Sequence, residues 1–187
     1  MKPFGALCGE SIKTNKDNFI IFNAFIFALL YNINCIFAIL EKKYNMDKIL
    51  IASDHAGFEL KAKLKEHFFD TIEFEDFGTD SMESVDYSDF IHPLAKRISE
   101  NSTQKGIIIC GSGNGVSMTA NKYPNVRAAL CWTPEIVKLA REHNDANILS
   151  LPARFISFED AVNMVNLFLT VPFEGGRHQK RVEKINL

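Results

Sequence analysis

Downstream of Met46 five short apolar runs recur, and between them the apolar residues change from continuous to every third or fourth position. The runs cover 48–53 (KILIAS), 72–77, 106–110 (GIIIC), 126–131 and 147–151. Each is too short for a buried helix, and their alternation with helix-like segments is the signature of βαβ units around a parallel sheet. In the first intervening segment Leu60, Leu64 and Phe68 recur every four residues while Lys61, Lys63, Lys65 and Glu66 fill the opposite face. In the next, Tyr87, Ile91, Leu94 and Ile98 form one stripe, and Thr133-Pro134-Glu135 reads as a cap followed by proline at the first helical position. Two more helices are predicted over 157–170 and 174–185. The pattern predicts one three-layer α/β/α domain over 46–187 with a five-stranded parallel sheet. Strand order stays open, since a sequence does not fix it.

Residues 1–45 differ in kind. Between Phe19 and Leu40 there is no charge over twenty-two residues, long enough to cross a bilayer as a helix. Asn23, Asn32 and Asn34 interrupt that run, and no small-residue cleavage site precedes the polar EKKYN that follows. Translation beginning at Met46, a membrane anchor and a targeting peptide are the three explanations, and a membrane partner is expected only if the 19–40 run is an anchor.

With 21 basic and 23 acidic side chains, the formal charge of −2 excludes a surface built to wrap a polyanion, so no nucleic-acid partner is expected. Anion recognition must be local. Cys8, Cys35, Cys110 and Cys131 contain no CxxC pair, so neither a disulfide framework nor a zinc cage is signalled. A reduced, cytoplasmic compartment is the simpler expectation, with no metal and no organic cofactor.

In open parallel sheets ligands bind beyond the carboxyl ends of the strands. The first strand ends in Ser53-Asp54-His55, a carboxylate and an imidazole, although Asp54 by itself also fits a cap for the helix beginning near Gly57. The third ends in Cys110-Gly111-Ser112-Gly113-Asn114-Gly115 before a helix start. Such a turn exposes backbone N–H groups that suit a phosphate or a developing oxyanion. Its spacing matches neither GxGxxG nor a P-loop, so nucleotide binding is the weaker interpretation. Cys110 at its mouth is a candidate base or nucleophile, against the plain alternative of a small core residue. His143 and Asn144 end the fourth helix, where a histidine also serves simply to complement the helix dipole. Arg177 and Arg181, four apart, are spaced to clamp a phosphate, or to form a solvated basic face.

Taken together, SDHAGFELK, GTDSMESVDYSDF, GIIICGSGNGVSMTANKYPNVRAALC, REHNDANILSLPAR and FEGGRHQKRVEKI closely resemble the ribose-5-phosphate isomerase B family, shared with galactose-6-phosphate isomerase subunits. The resemblance spans 46–187 and leaves 1–45 without counterpart. It implies a Rossmann-like subunit, a homodimer or dimer of dimers with shared active sites, and a sugar phosphate substrate. It further implies Cys110 as the proton-transferring base and His143 as the group that opens the furanose ring. Asp54 and Asn144 would hold hydroxyls, and the amides of Gly111, Ser112, Gly113, Asn114 and Gly115 the enediolate. His55, Arg154, Arg177 and Arg181 would face the phosphate, the last two reaching in from the partner. An isomerase of a six-carbon sugar phosphate and a non-catalytic sugar-phosphate-binding protein are the alternatives.

Overall fold

The computed structural model describes residues 48–101 and 103–185; the 1–45 extension and its 19–40 run lie outside the described residues. Five strands, β1 (Ile49–Ser53), β2 (Phe74–Asp76), β3 (Gly106–Cys110), β4 (Ala128–Leu130) and β5 (Ile148–Pro152), alternate with helices α1 (Phe58–His67), α2 (Tyr87–Glu100), α3 (Asn114–Ala120), α4 (Pro134–Asn144) and α5 (Phe158–Thr170). A 3-10 turn (Gly176–His178) and the short helix α6 (Gln179–Glu183) close the described chain. All pairings are parallel, in the order β2-β1-β3-β5-β4.

Alternation of side chains along the central strands divides the core in two. Ile51, Ile107, Ile109, Leu149 and Leu151 pack under α1, α4 and α5. Leu50, Ala52, Ile108, Cys110 and Ile148 pack under α2 and α3. Ile107, Ile108 and Ile109 are fully buried, each worth about 1.5–3 kcal/mol relative to an exposed position. The face a helix occupies follows from the direction its crossover takes. Moves to one side (β1 to β2, β4 to β5) put α1 and α4 on one face, and moves to the other (β2 to β3, β3 to β4) put α2 and α3 on the opposite face, as right-handed crossovers require. The chain leaves β1 and β5 toward one face and β3, between them, toward the other. A crevice therefore opens where these three strands end.

The elements differ from the sequence pattern in instructive places. The two edge strands β2 and β4 are three residues each, shorter than the 72–77 and 126–131 runs. The helix expected over 174–185 does not start at Glu174, because Gly175 and Gly176 sit at φ of 65° and 54°, outside helical space. Lys61 is not on a solvated face. It is buried, with its ammonium donating to Asp76 Oδ1 and to the Thr79 carbonyl, each at 2.7 Å. Thr133 caps its helix as expected, its Oγ1 accepting from the Ile136 amide, and Ser157 Oγ likewise accepts from the Asp160 amide. Among the described residues no helix is long and apolar enough to cross a membrane.

Candidate active site

At the crevice, β3 delivers Cys110, whose Sγ accepts the Gly113 N–H at 3.0 Å. Gly113 has φ of 73°, and a Cβ there would lie 2.3 Å from Leu130 Cδ1, so the turn requires glycine. The Gly113 carbonyl is locked by the Ser117 and Ser150 hydroxyls, each donating at 2.8 Å. Sulfur and amide are thus held in register before any ligand arrives. Cys131 is buried in the core, and desolvation pushes its thiol up to about 12.

β1 delivers Asp54 and His55. Asp54 Oδ1 accepts the Gly57 N–H at 3.0 Å, so the carboxylate both caps that turn and forms part of the crevice wall. His55 Nδ1 accepts the Val85 N–H at 3.2 Å. β5 leads to Arg154, whose amide donates to the Gly111 carbonyl at 3.1 Å and whose guanidinium lies against Gly111. Asp54, His55, Cys110, Gly111, Ser112, Gly115 and Arg154 line one cleft of about 380 Å³ with Ala56, Tyr87 and Phe155. Asn114 lines the adjoining apolar hollow with Ser112, Leu130, Trp132, Pro152 and Phe155.

Tyr87 and Phe155 are absent from the sequence-derived set. Tyr87 shares the apolar stripe of α2 yet is 41% exposed, its ring so close to Gly115 that a Cβ there would sit 2.6 Å from Cζ. Phe155 follows Arg154 just beyond β5, where the rule that ligands sit past strand ends points to it.

His143, Asn144, Arg177 and Arg181 are not in this cleft. His143 and Asn144 end α4, which runs antiparallel to the strands, and Asn147 just before β5 bonds the start of β4 through Arg127. They lie at the amino edge of the sheet, about 17 Å away by the length of a five-residue strand. The tail docks on the same edge through the Glu174 amide, which donates to the Glu142 carbonyl at 3.0 Å. His143 and His178 stack with ring centroids 4.2 Å apart, and Glu174 Oε2 lies 3.9 and 3.8 Å from their Nε2 atoms. Burial first, then the charges of His143, Arg177 and Arg181, lower the His178 pKa against the opposing pull of Glu174. The ligand atoms of His143, Glu174 and His178 fall within 4.8 Å of one another. Arg177 Nε nevertheless donates to His178 Nε2 at 3.2 Å, and this surplus of positive charge suits an anion better than a metal cation. Behind the cluster, Asp145 in the left-handed region bonds Arg141 and Arg127, each at 2.9 Å, and fixes the end of α4.

The family model described as Ribose/Galactose Isomerase matches residues 49–185 of this sequence. The chain belongs to that family. Ribose-5-phosphate isomerase B of Escherichia coli is 40% identical over 141 residues, 75% of this chain and 95% of its own. Among solved structures, the ribose 5-phosphate isomerase of Thermotoga maritima is 50% identical with a TM-score of 0.73, covering 76% of this chain and 99% of that one. The Mycoplasma genitalium ribose-5-phosphate isomerase B, solved with bound ribulose-5-phosphate, is 42% identical with a TM-score of 0.71, over 74% and 93% of the two chains. The family match thus contains both residue clusters, the carboxyl-edge cleft and the amino-edge basic group.

Proposed function

We propose that the chain interconverts ribose 5-phosphate and ribulose 5-phosphate, with each active site built from the cleft of one copy and the amino-edge cluster of another. The observation that carries the chemistry is Cys110 at the mouth of the glycine turn, its sulfur already accepting an amide at 3.0 Å. Moving a proton between adjacent carbons needs one base near both, donors where negative charge develops, and no redox centre.

In the reaction the furanose C1–O4 bond breaks as His143 donates a proton to the ring oxygen and the anomeric hydroxyl gives its own to solvent water, leaving the C1 carbonyl. The Cys110 thiolate then removes the proton on C2, and the electron pair moves through the new C1–C2 double bond onto O1. The amides of Gly111, Ser112, Gly113, Asn114 and Gly115 stabilise this enediolate charge, which is absent from the ground state and so contributes to turnover. The thiol returns its proton to C1, the O2 hydroxyl proton passes to O1, and the ketose results. Asp54 and Asn144 hold hydroxyls, while His55, Arg154, Arg177 and Arg181 face the phosphate, guanidinium forks matching its oxygens. The two-copy arrangement is supported by the separation of Cys110 from His143, Asn144 and the arginine pair within one chain, and by the apolar rim of Trp132 and Phe155 beside the cleft, 55% and 73% exposed. Residues 46–187 suffice for activity in this scheme, and the free thiols Cys110 and Cys131 accord with a reducing cytoplasm.

A coupled isomerase assay tests the proposal. Ribose 5-phosphate should be turned over with a higher kcat/KM than allose 6-phosphate or galactose 6-phosphate. Preference for a six-carbon substrate, or no turnover of ribose 5-phosphate, would overturn it.

A further inference from the structure

The segment 78–86, GTDSMESVD, joins β2 to α2 and supplies no group to the chemistry above. It is firmly anchored at its start. Lys61, 3% exposed, donates to Asp76 Oδ1 and the Thr79 carbonyl, each at 2.7 Å, and the Gly78 amide donates to the same Oδ1 at 3.0 Å. The Thr79 amide donates to the Ser53 carbonyl at 3.1 Å, one residue before Asp54. From this anchor the segment returns to the cleft, where the Val85 N–H donates to His55 Nδ1 at 3.2 Å, two residues before Tyr87 covers Gly115.

A backbone N–H can only donate, so His55 Nδ1 must present its lone pair. A neutral imidazole with a bare Nδ1 carries its proton on Nε2. The other tautomer and the imidazolium would each oppose N–H to N–H. We infer that the Val85 amide, presented by the Lys61-anchored segment, is a positioning group that fixes His55 as the neutral Nε2–H tautomer. His55 then meets the substrate as an oriented neutral donor, and the cationic charge facing the phosphate comes from the arginines. That last statement rests on His55 being a substrate ligand; the tautomer is a property of the free protein and does not.

The test uses the full chain labelled with nitrogen-15 and a long-range proton–nitrogen spectrum of its imidazoles near neutral pH, with His55 assigned by the signals lost in His55→Gln. The expected pattern is an unprotonated, pyridine-like Nδ1 and a protonated, pyrrole-like Nε2. A protonated Nδ1, or two nitrogens at one averaged position, overturns the inference. Val85→Pro removes the N–H. It should average the two His55 nitrogens and raise KM for ribose 5-phosphate about tenfold, kcat changing less, the size expected for a misdirected hydrogen bond to an anion. A tautomer unmoved by Val85→Pro overturns the role of Val85, and averaged nitrogens with an unmoved KM overturn the donor role of His55 alone. Should Val85→Pro not fold, Lys61→Met loosens the anchor from outside the cleft. It should move the same nitrogen signals in the same direction, and signals that stay at wild-type positions would contradict the anchoring.

Discussion

The two edges of the sheet hold different chemistry. At the carboxyl edge a sulfur, a carboxylate, an imidazole and a row of amides converge on one cleft, each placed by the end of a strand. At the amino edge two stacked imidazoles and two guanidiniums gather around the end of α4, held by side-chain bonds and a docked tail. In the proposed reaction the first set abstracts protons and stabilises an oxyanion, and the second donates protons and binds anions. One chain owns both and cannot bring them together, because the sheet lies between. A parallel sheet with antiparallel crossover helices imposes this separation on any residue that ends a crossover. The difference teaches that one fold can hold two reactive clusters that a single copy keeps apart, which is why the proposed site draws on two copies.

The largest effect should come from the carboxyl edge. Cys110→Ala should lower kcat by about 10²–10⁴-fold with the fold unchanged by circular dichroism, since a positioned base supplies a factor of that order. A loss under tenfold would hand the proton to another group. Next comes His143→Asn at the amino edge, which should impair the cyclic sugar phosphate more than a substrate supplied open-chain. Equal impairment would remove ring opening from its duties.

A third experiment sharpens the contrast between the two described thiols. Iodoacetamide near neutral pH should alkylate Cys110, with protection by substrate, and leave Cys131 unlabelled, because burial pushes the Cys131 thiol up to about 12. Peptide mapping that found Cys131 labelled first would show the wrong sulfur had been chosen.

The smallest effect concerns stability at the amino edge. His178 is buried with its folded pKa below the ordinary value, so below about pH 6.5 the unfolded chain binds a proton that the folded chain does not. Its contribution is therefore fully present above that pH and is lost as pH falls below it. Tm should drop between pH 7.5 and 5.5, and His178→Gln should flatten that drop. An equal drop in the variant would place the titrating group elsewhere.

The contrast between the edges also explains what could be seen in the sequence. The layers, the strands and the cleft residues Asp54, His55 and Cys110 were legible because each follows from local pattern plus the rule that ligands sit past strand ends. Lys61 was misjudged because helical periodicity sees only the helix, while its partners Asp76 and Thr79 come from β2 and the turn beyond it. Tyr87 was hidden inside an apolar stripe for the same reason. The placement of His143 and Asn144 away from Cys110 needed the direction of α4 relative to the sheet, a three-dimensional fact that spacing does not carry.

Subunit complementation tests most directly whether the two edges meet between copies. Cys110→Ala and His143→Asn homodimers should each be nearly inactive. Mixed in equal amounts under conditions that exchange subunits, about half of the dimers become hybrids in which one site carries both defects and the other carries neither, by the two-fold symmetry of the pair. Activity should rise toward about a quarter of the wild-type value for the whole mixture. Mass spectrometry that verifies hybrid dimers alongside no recovery of activity would mean that Cys110 and His143 serve the same chain's site, and would contradict the account.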